Sequence, residues 1–191
     1  MTFISILISA VFVNNIVLSQ FLGICPFLGV SNKIETAIGM TGAVAFVMTI
    51  ATVFVYIVQK AVLVPYHIQF LQTITFILII VAIVQIVEIM LKMISPALYQ
   101  ALGVYLPLIT TNCVILGVTL LVVKRDFNLV ESVVFAISTA IGFGLALILF
   151  AGIREQLSMV KVPKGMDGIP AALITAGLLA MAFMGFSGIV K

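Results

Sequence analysis

Long apolar runs separated by short charged breaks constrain this chain more than any other feature. They extend from Phe3 to Val30, Thr36 to Gln59, Gln69 to Leu91, Leu102 to Val123, Leu129 to Ile153 and Ile169 to Val190. A helix of ~20 apolar residues crosses a hydrocarbon layer of ~30 Å, and each run meets that length. Together they use most of the 191 residues, so no separate soluble domain fits beside them. With 64% apolar and only 8% charged residues, the disordered, collagen-like and ordinary soluble classes are excluded. The chain reads as an all-α integral membrane protein, a single membrane domain over residues 1–191 with six transmembrane helices.

The charge balance is 9 Lys plus Arg against 6 Asp plus Glu. Such a modest excess without a basic block suits loop anchoring at a lipid bilayer and implies no nucleic-acid partner. Met1 to Val13 lacks a basic leader and a small-residue cleavage site, so it reads as a retained span. Six spans put both termini on one side. Lys60, Lys124, Arg125 and Lys191 would share that side, with Lys33, Lys92, Arg154, Lys161 and Lys164 opposite. The near-equal counts carry little information about orientation. Termini outside is the preferred orientation, because Met1 has no basic flank and the Arg154 to Gly168 connection is the most basic.

Two breaks carry the same helix-start pattern: Asn32 precedes Glu35 by three residues, and Asn128 precedes Glu131 by three. An Asn can cap a free N–H, and a Glu three residues on can reach back to the cap. Each half also has a cysteine followed at one interval by glycine, in Cys25-Pro-Phe-Leu-Gly29 and Cys113-Val-Ile-Leu-Gly117. These coincidences suggest two three-helix repeats, approximately residues 1–92 and 93–191, inverted in the membrane because three is odd. The first helix of each repeat reads as broken. Phe3 to Val30 would run about 42 Å as one helix, too long for the layer. Asn14, Asn15, Ser19, Gln20, Gly23, Pro26 and Gly29 interrupt it; Pro107, Thr110, Thr111 and Asn112 interrupt the fourth region just before Cys113. Broken helices are tolerated at membrane depth where freed backbone groups are buried in protein or line a cavity.

Cys25 and Cys113 are the sharpest candidates for chemistry. As isolated cysteines they suit buried packing; a disulfide would require close approach. Iron–sulfur ligation shared with a second chain is the functional alternative, since two thiolates are half of a four-ligand set. Free N–H groups at the breaks would then be placed to hydrogen-bond sulfur. Glu88 lies inside an apolar run, with Lys92 one turn on, and reads either as an ion-path residue or as half of an interfacial pair. Asn14, Asn15, Thr110 and Asn112 suit ion coordination or interhelical hydrogen bonds. The lone His67 reads as a loop residue and excludes bis-His haem ligation; Gly142-Phe-Gly144 lacks the strand and third glycine of a dinucleotide site and reads as a helix contact.

The segments Asn14-Asn15-Ile-Val-Leu-Ser-Gln20-Phe-Leu-Gly-Ile-Cys25-Pro-Phe-Leu-Gly29, Thr110-Thr-Asn-Cys113-Val-Ile-Leu-Gly117 and Ala151-Gly-Ile-Arg154-Glu155 closely resemble a known family. It comprises the paired membrane subunits of Rnf ion-translocating oxidoreductases and their homologues in the sodium-pumping NADH:quinone oxidoreductase. The resemblance, which is to the A subunit of Rnf, runs to the Ile169-Pro-Ala-Ala-Leu-Ile-Thr-Ala-Gly-Leu tail, and Cys25-Pro26 looks more like the Rnf branch than the quinone reductase branch. It implies six helices in two inverted repeats, paired with a homologous sister of opposite orientation, the E subunit of Rnf. It further implies a [2Fe–2S] cluster shared by the two, with Cys25 and Cys113 as this chain's ligands. Other subunits carrying flavins and iron–sulfur clusters would complete a complex of the bacterial cytoplasmic (inner) membrane. That complex moves electrons between ferredoxin and NAD while translocating Na+ or H+. The alternative from the residues alone is an inverted-repeat secondary transporter without a redox centre, with asparagines and threonines as ligands.

Overall fold

The computed structural model describes residues 7–31, 33–65, 69–94, 106–160 and 168–185, and these contain helices and connections but no strand. In hydrocarbon every backbone N–H and C=O must find a partner within the protein, which leaves helices as the economical solution for runs this apolar. A π-helical turn at Ser9–Val13 precedes α1 (Ile24–Gly29) and α2 (Ile34–Val58), which runs on as a π-helical turn through Gln59–Leu63. Then come α3 (Gln72–Ile94), α4 (Leu106–Thr110), α5 (Cys113–Lys124), α6 (Leu129–Met159) and α7 (Ile169–Met184). Among the described residues four helical stretches are long and apolar enough to cross a membrane: Ile34–Leu63, Gln72–Met90, Pro107–Lys124 and Leu129–Met159. The helix of the sixth apolar run, Ile169–Met184, is shorter.

The core is α2 packed along α6. Met40, Val44, Met48 and Ala51 from α2 and Ala140, Phe143, Leu147 and Ala151 from α6 are all buried. The two helices are antiparallel. Tyr56, Gln59 and Lys60 at the end of α2 share a recess with Asn128 at the start of α6, whereas Ser31, just before α2, accepts a hydrogen bond from Arg154 near the end of α6. Gly144 permits the approach, because a Cβ there would collide with the Thr41 side chain. The Gly142-Phe-Gly144 segment is thus a helix contact, as its sequence context suggests. On the flanks, α3 packs against α2, α4 and α5, and α7 packs against α6 and the first π-helical turn.

Helix starts and stops follow partly from local chemistry. At α6, the Asn128 backbone N–H donates to Glu131 Oε2 at 3.1 Å, within the expected capping box. At α2 the N-cap is Lys33, without a side-chain cap bond, and Glu35 lies in the first turn. Asn32 lies outside the described residues, as does His67. Two helices outrun their expected ends. The break expected at Lys60 is instead the π-helical continuation to Leu63, with the Lys60 ammonium 5.2 Å from the centre of the Tyr56 ring. Helix α6 continues past Ile153 to Met159, so Arg154 belongs to the helix rather than to a solvated connection.

Candidate metal centre

Both cysteines lie at helix breaks. In the first, the chain leaves helical geometry after Val13, turns through Asn14 to Gly23 and re-enters a helix at Ile24, so Cys25 is the second residue of α1. Phe21 at φ 54° and Gly23 at φ 83° make the turn. Glycine takes this left-handed geometry without strain. In the second, α4 ends at Thr110 and α5 opens at Cys113 itself, with Asn112 as its N-cap accepting from the Val114 N–H at 3.1 Å.

These two breaks meet. The Gly23 N–H donates to Cys113 Sγ at 2.9 Å, across 90 residues of sequence. Close packing makes this contact: a Cβ on Gly23 would collide with the Val114 side chain and lie 3.3 Å from the Phe143 ring. Both thiols are free; Cys25 is exposed on the surface of the chain and Cys113 is half-buried. The 12 residues of α5 span about 18 Å between Cys113 and the charged pair Lys124 and Arg125. That length puts Cys113 well inside a layer of ~30 Å.

The first break is held from two sides. Asn15, 1% exposed, donates from Nδ2 to the carbonyls of Gly142 at 2.8 Å and Val11 at 3.2 Å, while its Oδ1 accepts from the Val17 N–H at 3.1 Å. Gly142 gives α6 the bare surface this needs, with Ala10 O and Val11 Cα both 3.2 Å from where its Cβ would stand. At the other end Arg154 donates at 2.8 Å to Leu28 O and to Ser31 Oγ, tying α6 to the last turn of α1. Hydrogen bonds to a charged group typically contribute about 1.5–3 kcal/mol each. The Phe27 and Phe150 rings stack beside them with centroids 4.2 Å apart.

The other polar candidates are more dispersed. Asn14 is exposed and donates to Ser9 Oγ at 3.1 Å, Thr110 closes α4, and Glu88 is half-buried towards the end of α3. The buried asparagines act as pins: each carbonyl oxygen accepts from a backbone N–H two residues ahead. Sequence reasoning anticipates breaks at both cysteines and free amides beside sulfur. It does not identify Gly23 as the donor or Arg154 as the brace; the only signals are a glycine two residues before Cys25 and a lone cation at the end of an apolar helix.

An iron–sulfur group fits what these residues offer. Among the described residues no three His, Cys, Asp or Glu side chains gather as a metal site; Cys25 and Cys113 are free thiols, the soft donor type such a group takes. One sulfur already receives an N–H. Beside it, Asn112 is 3% exposed, and its Nδ2 has no partner among the described residues, leaving a buried donor available to an acceptor such as cluster sulfur.

Fold and site together define a multi-pass, all-helical membrane protein whose helix breaks carry two free thiols. The chain belongs to the Rnf-Nqr family, whose model, described as "Rnf-Nqr subunit, membrane protein", matches residues 3–190. It is 59% identical over 188 residues to the A subunit of the Na(+)-translocating ferredoxin:NAD(+) oxidoreductase complex of Acetobacterium woodii, covering 98% of each chain. It is 57% identical over 185 residues to the A subunit of the ion-translocating oxidoreductase complex of Syntrophotalea carbinolica, covering 97% of this chain and 96% of that one. A protein of that same name from Actinobacillus pleuropneumoniae is 53% identical over 189 residues, with 99% and 98% covered.

Proposed function

We propose that this chain is the A subunit of an Rnf-type ion-translocating ferredoxin:NAD oxidoreductase in the bacterial cytoplasmic membrane. It works there as a one-electron relay coupled to Na+ or H+ translocation. Its six helices form two inverted repeats, residues 1–92 and 93–191, with the termini outside. Cys25 and Cys113 give two of the four ligands of a [2Fe–2S] cluster, and a homologous sister of opposite orientation, the E subunit of the complex, gives the other two. Flavin- and iron–sulfur-bearing subunits supply and accept the electrons. When bound, such a cluster supplies a one-electron carrier inside an otherwise insulating layer.

The observation that carries this reading is the Gly23 N–H on Cys113 Sγ, which joins the two cysteine-bearing breaks while Cys25 stays exposed to a partner. The chain's own residues bind and orient: Cys25 and Cys113 donate sulfur, Gly23 supplies an amide hydrogen bond, and Asn15 fixes the irregular backbone. The transporter alternative draws less support, because Asn15 and Asn112 both spend carbonyl oxygens on backbone amides.

Electron paramagnetic resonance with iron analysis on the reduced complex of this chain and its sister tests the proposal. Cys25→Ala and Cys113→Ala should each abolish one [2Fe–2S] signal with the pair still assembled. Unchanged iron and spectrum would return both cysteines to packing and favour the transporter.

A further inference from the structure

Arg154 is a half-buried cation on a membrane helix, and its Nη1 donates twice within the protein. Its guanidinium reaches from α6 to Leu28 O and Ser31 Oγ, both at 2.8 Å, and lies 6.0 Å from the centre of the Phe150 ring, itself stacked on Phe27. Leu28 is three residues beyond Cys25 in a helix of only 6 residues, Ile24–Gly29. A helix so short has little stability of its own. Its carbonyls near the C-terminal end lack intrahelical partners, and a cation there is favourable. The other end of α1 opens from the Phe21 and Gly23 turn, so Arg154 and the Phe27 stack are what seat it against α6.

From this geometry we propose that Arg154 is a positioning residue for Cys25, bracing α1 by the two-pronged bond to Leu28 O and Ser31 Oγ so that the exposed thiol is held at one place facing the partner. The inference rests on the reading of Cys25 as a ligand, and it concerns a side chain that never touches the cluster. Both bonds leave one terminal nitrogen, Nη1, at the far end of the long arginine side chain; a lysine ammonium has donors enough for the same two acceptors but sits on a shorter stem.

The test uses the assembled, cluster-loaded complex carrying Arg154→Ala, Arg154→Lys or Ser31→Ala. Supporting bonds around metal ligands typically alter metal affinity 10–100-fold, so Arg154→Ala should lose iron to a chelator about tenfold faster than wild type. Its [2Fe–2S] resonance should broaden as Cys25 samples several positions. Arg154→Lys should restore the loss only in part, and Ser31→Ala should show a smaller change in the same direction. Wild-type chelator resistance and line shape in Arg154→Ala would overturn the proposal. Should Arg154→Ala fail to assemble, Ser31→Ala decides, wild-type behaviour overturning the proposal. A second readout is the rate at which a thiol reagent labels Cys25 in iron-depleted complex, which should rise in Arg154→Ala. This separates the two ideas: a wild type without a cysteine-dependent cluster sinks the ligand reading, while an unchanged labelling rate sinks the brace.

Discussion

Gly23 adopts φ 83°, donates its N–H to Cys113 Sγ at 2.9 Å and leaves no room for a side chain against Val114. Left-handed backbone costs a non-glycine residue of order 1–3 kcal/mol, and the collision adds overpacking to that. Gly23→Ala should therefore destabilise the complex by about 2 kcal/mol or more and shift or erase the cysteine-dependent resonance. Thermal unfolding of purified complex and the low-temperature spectrum read the two effects separately. A wild-type melting midpoint and spectrum would show that the break tolerates a methyl group and that the amide contact is incidental. Arg154 is the other residue on which the site turns, since it meets the α1 end of the same break with two bonds at 2.8 Å.

Among the elements, α6 serves as the template for the irregular segment, and its glycines divide by what lies against them. Gly142 faces Ala10 O and Val11 Cα at 3.2 Å, whereas nothing lies within 4 Å of a Cβ on Gly152. Gly142→Ala should push the first break away and disturb Asn15's bond to the residue 142 carbonyl, costing about 1–3 kcal/mol. Gly152→Ala should be neutral or stabilising by up to about 1 kcal/mol, because alanine favours a helix over glycine. Melting of the paired variants checks this, and equal effects at the two positions would refute the template role. Both breaks are legible in the sequence because Gly, Pro and clustered amides cannot continue an apolar helix without a reason. The Asn128 and Glu131 cap is legible from spacing alone, and the structure has it. The ends of α2 and α6 are not, since Lys60 and Arg154 read as the places where water begins. Lys60 instead lies by Tyr56 on a continuing helix, and Arg154 donates from Nη1 to Leu28 O of α1, so neither charge ends its helix. A lone cation in sequence does not say whether its partner is water or a carbonyl 126 residues away.

For the whole molecule, the proposed cluster makes this chain half of a site. Cys25 is exposed and Cys113 half-buried, both thiols are free, and no third His, Cys, Asp or Glu joins them among the described residues. The family is legible from full-length agreement, from Asn14 to the tail, whereas the juxtaposition of the breaks is not, because nothing in local spacing pairs residue 23 with residue 113. Two thiolates in hydrocarbon are costly without a cation to neutralise them, and two ligands leave a [2Fe–2S] cluster half bound. The chain expressed without its sister should therefore insert but carry no stable cluster, and coexpression with the sister should restore iron in proportion to assembled pairs. Iron content and visible absorption of detergent-purified protein from the two expressions measure this. Two copies of this chain could in principle pool four thiols. A homodimer purified alone with a full complement of iron and a cysteine-dependent [2Fe–2S] spectrum would thus refute the need for a sister of opposite orientation. The iron-free outcome, reversed by coexpression, assigns the missing two ligands to the sister.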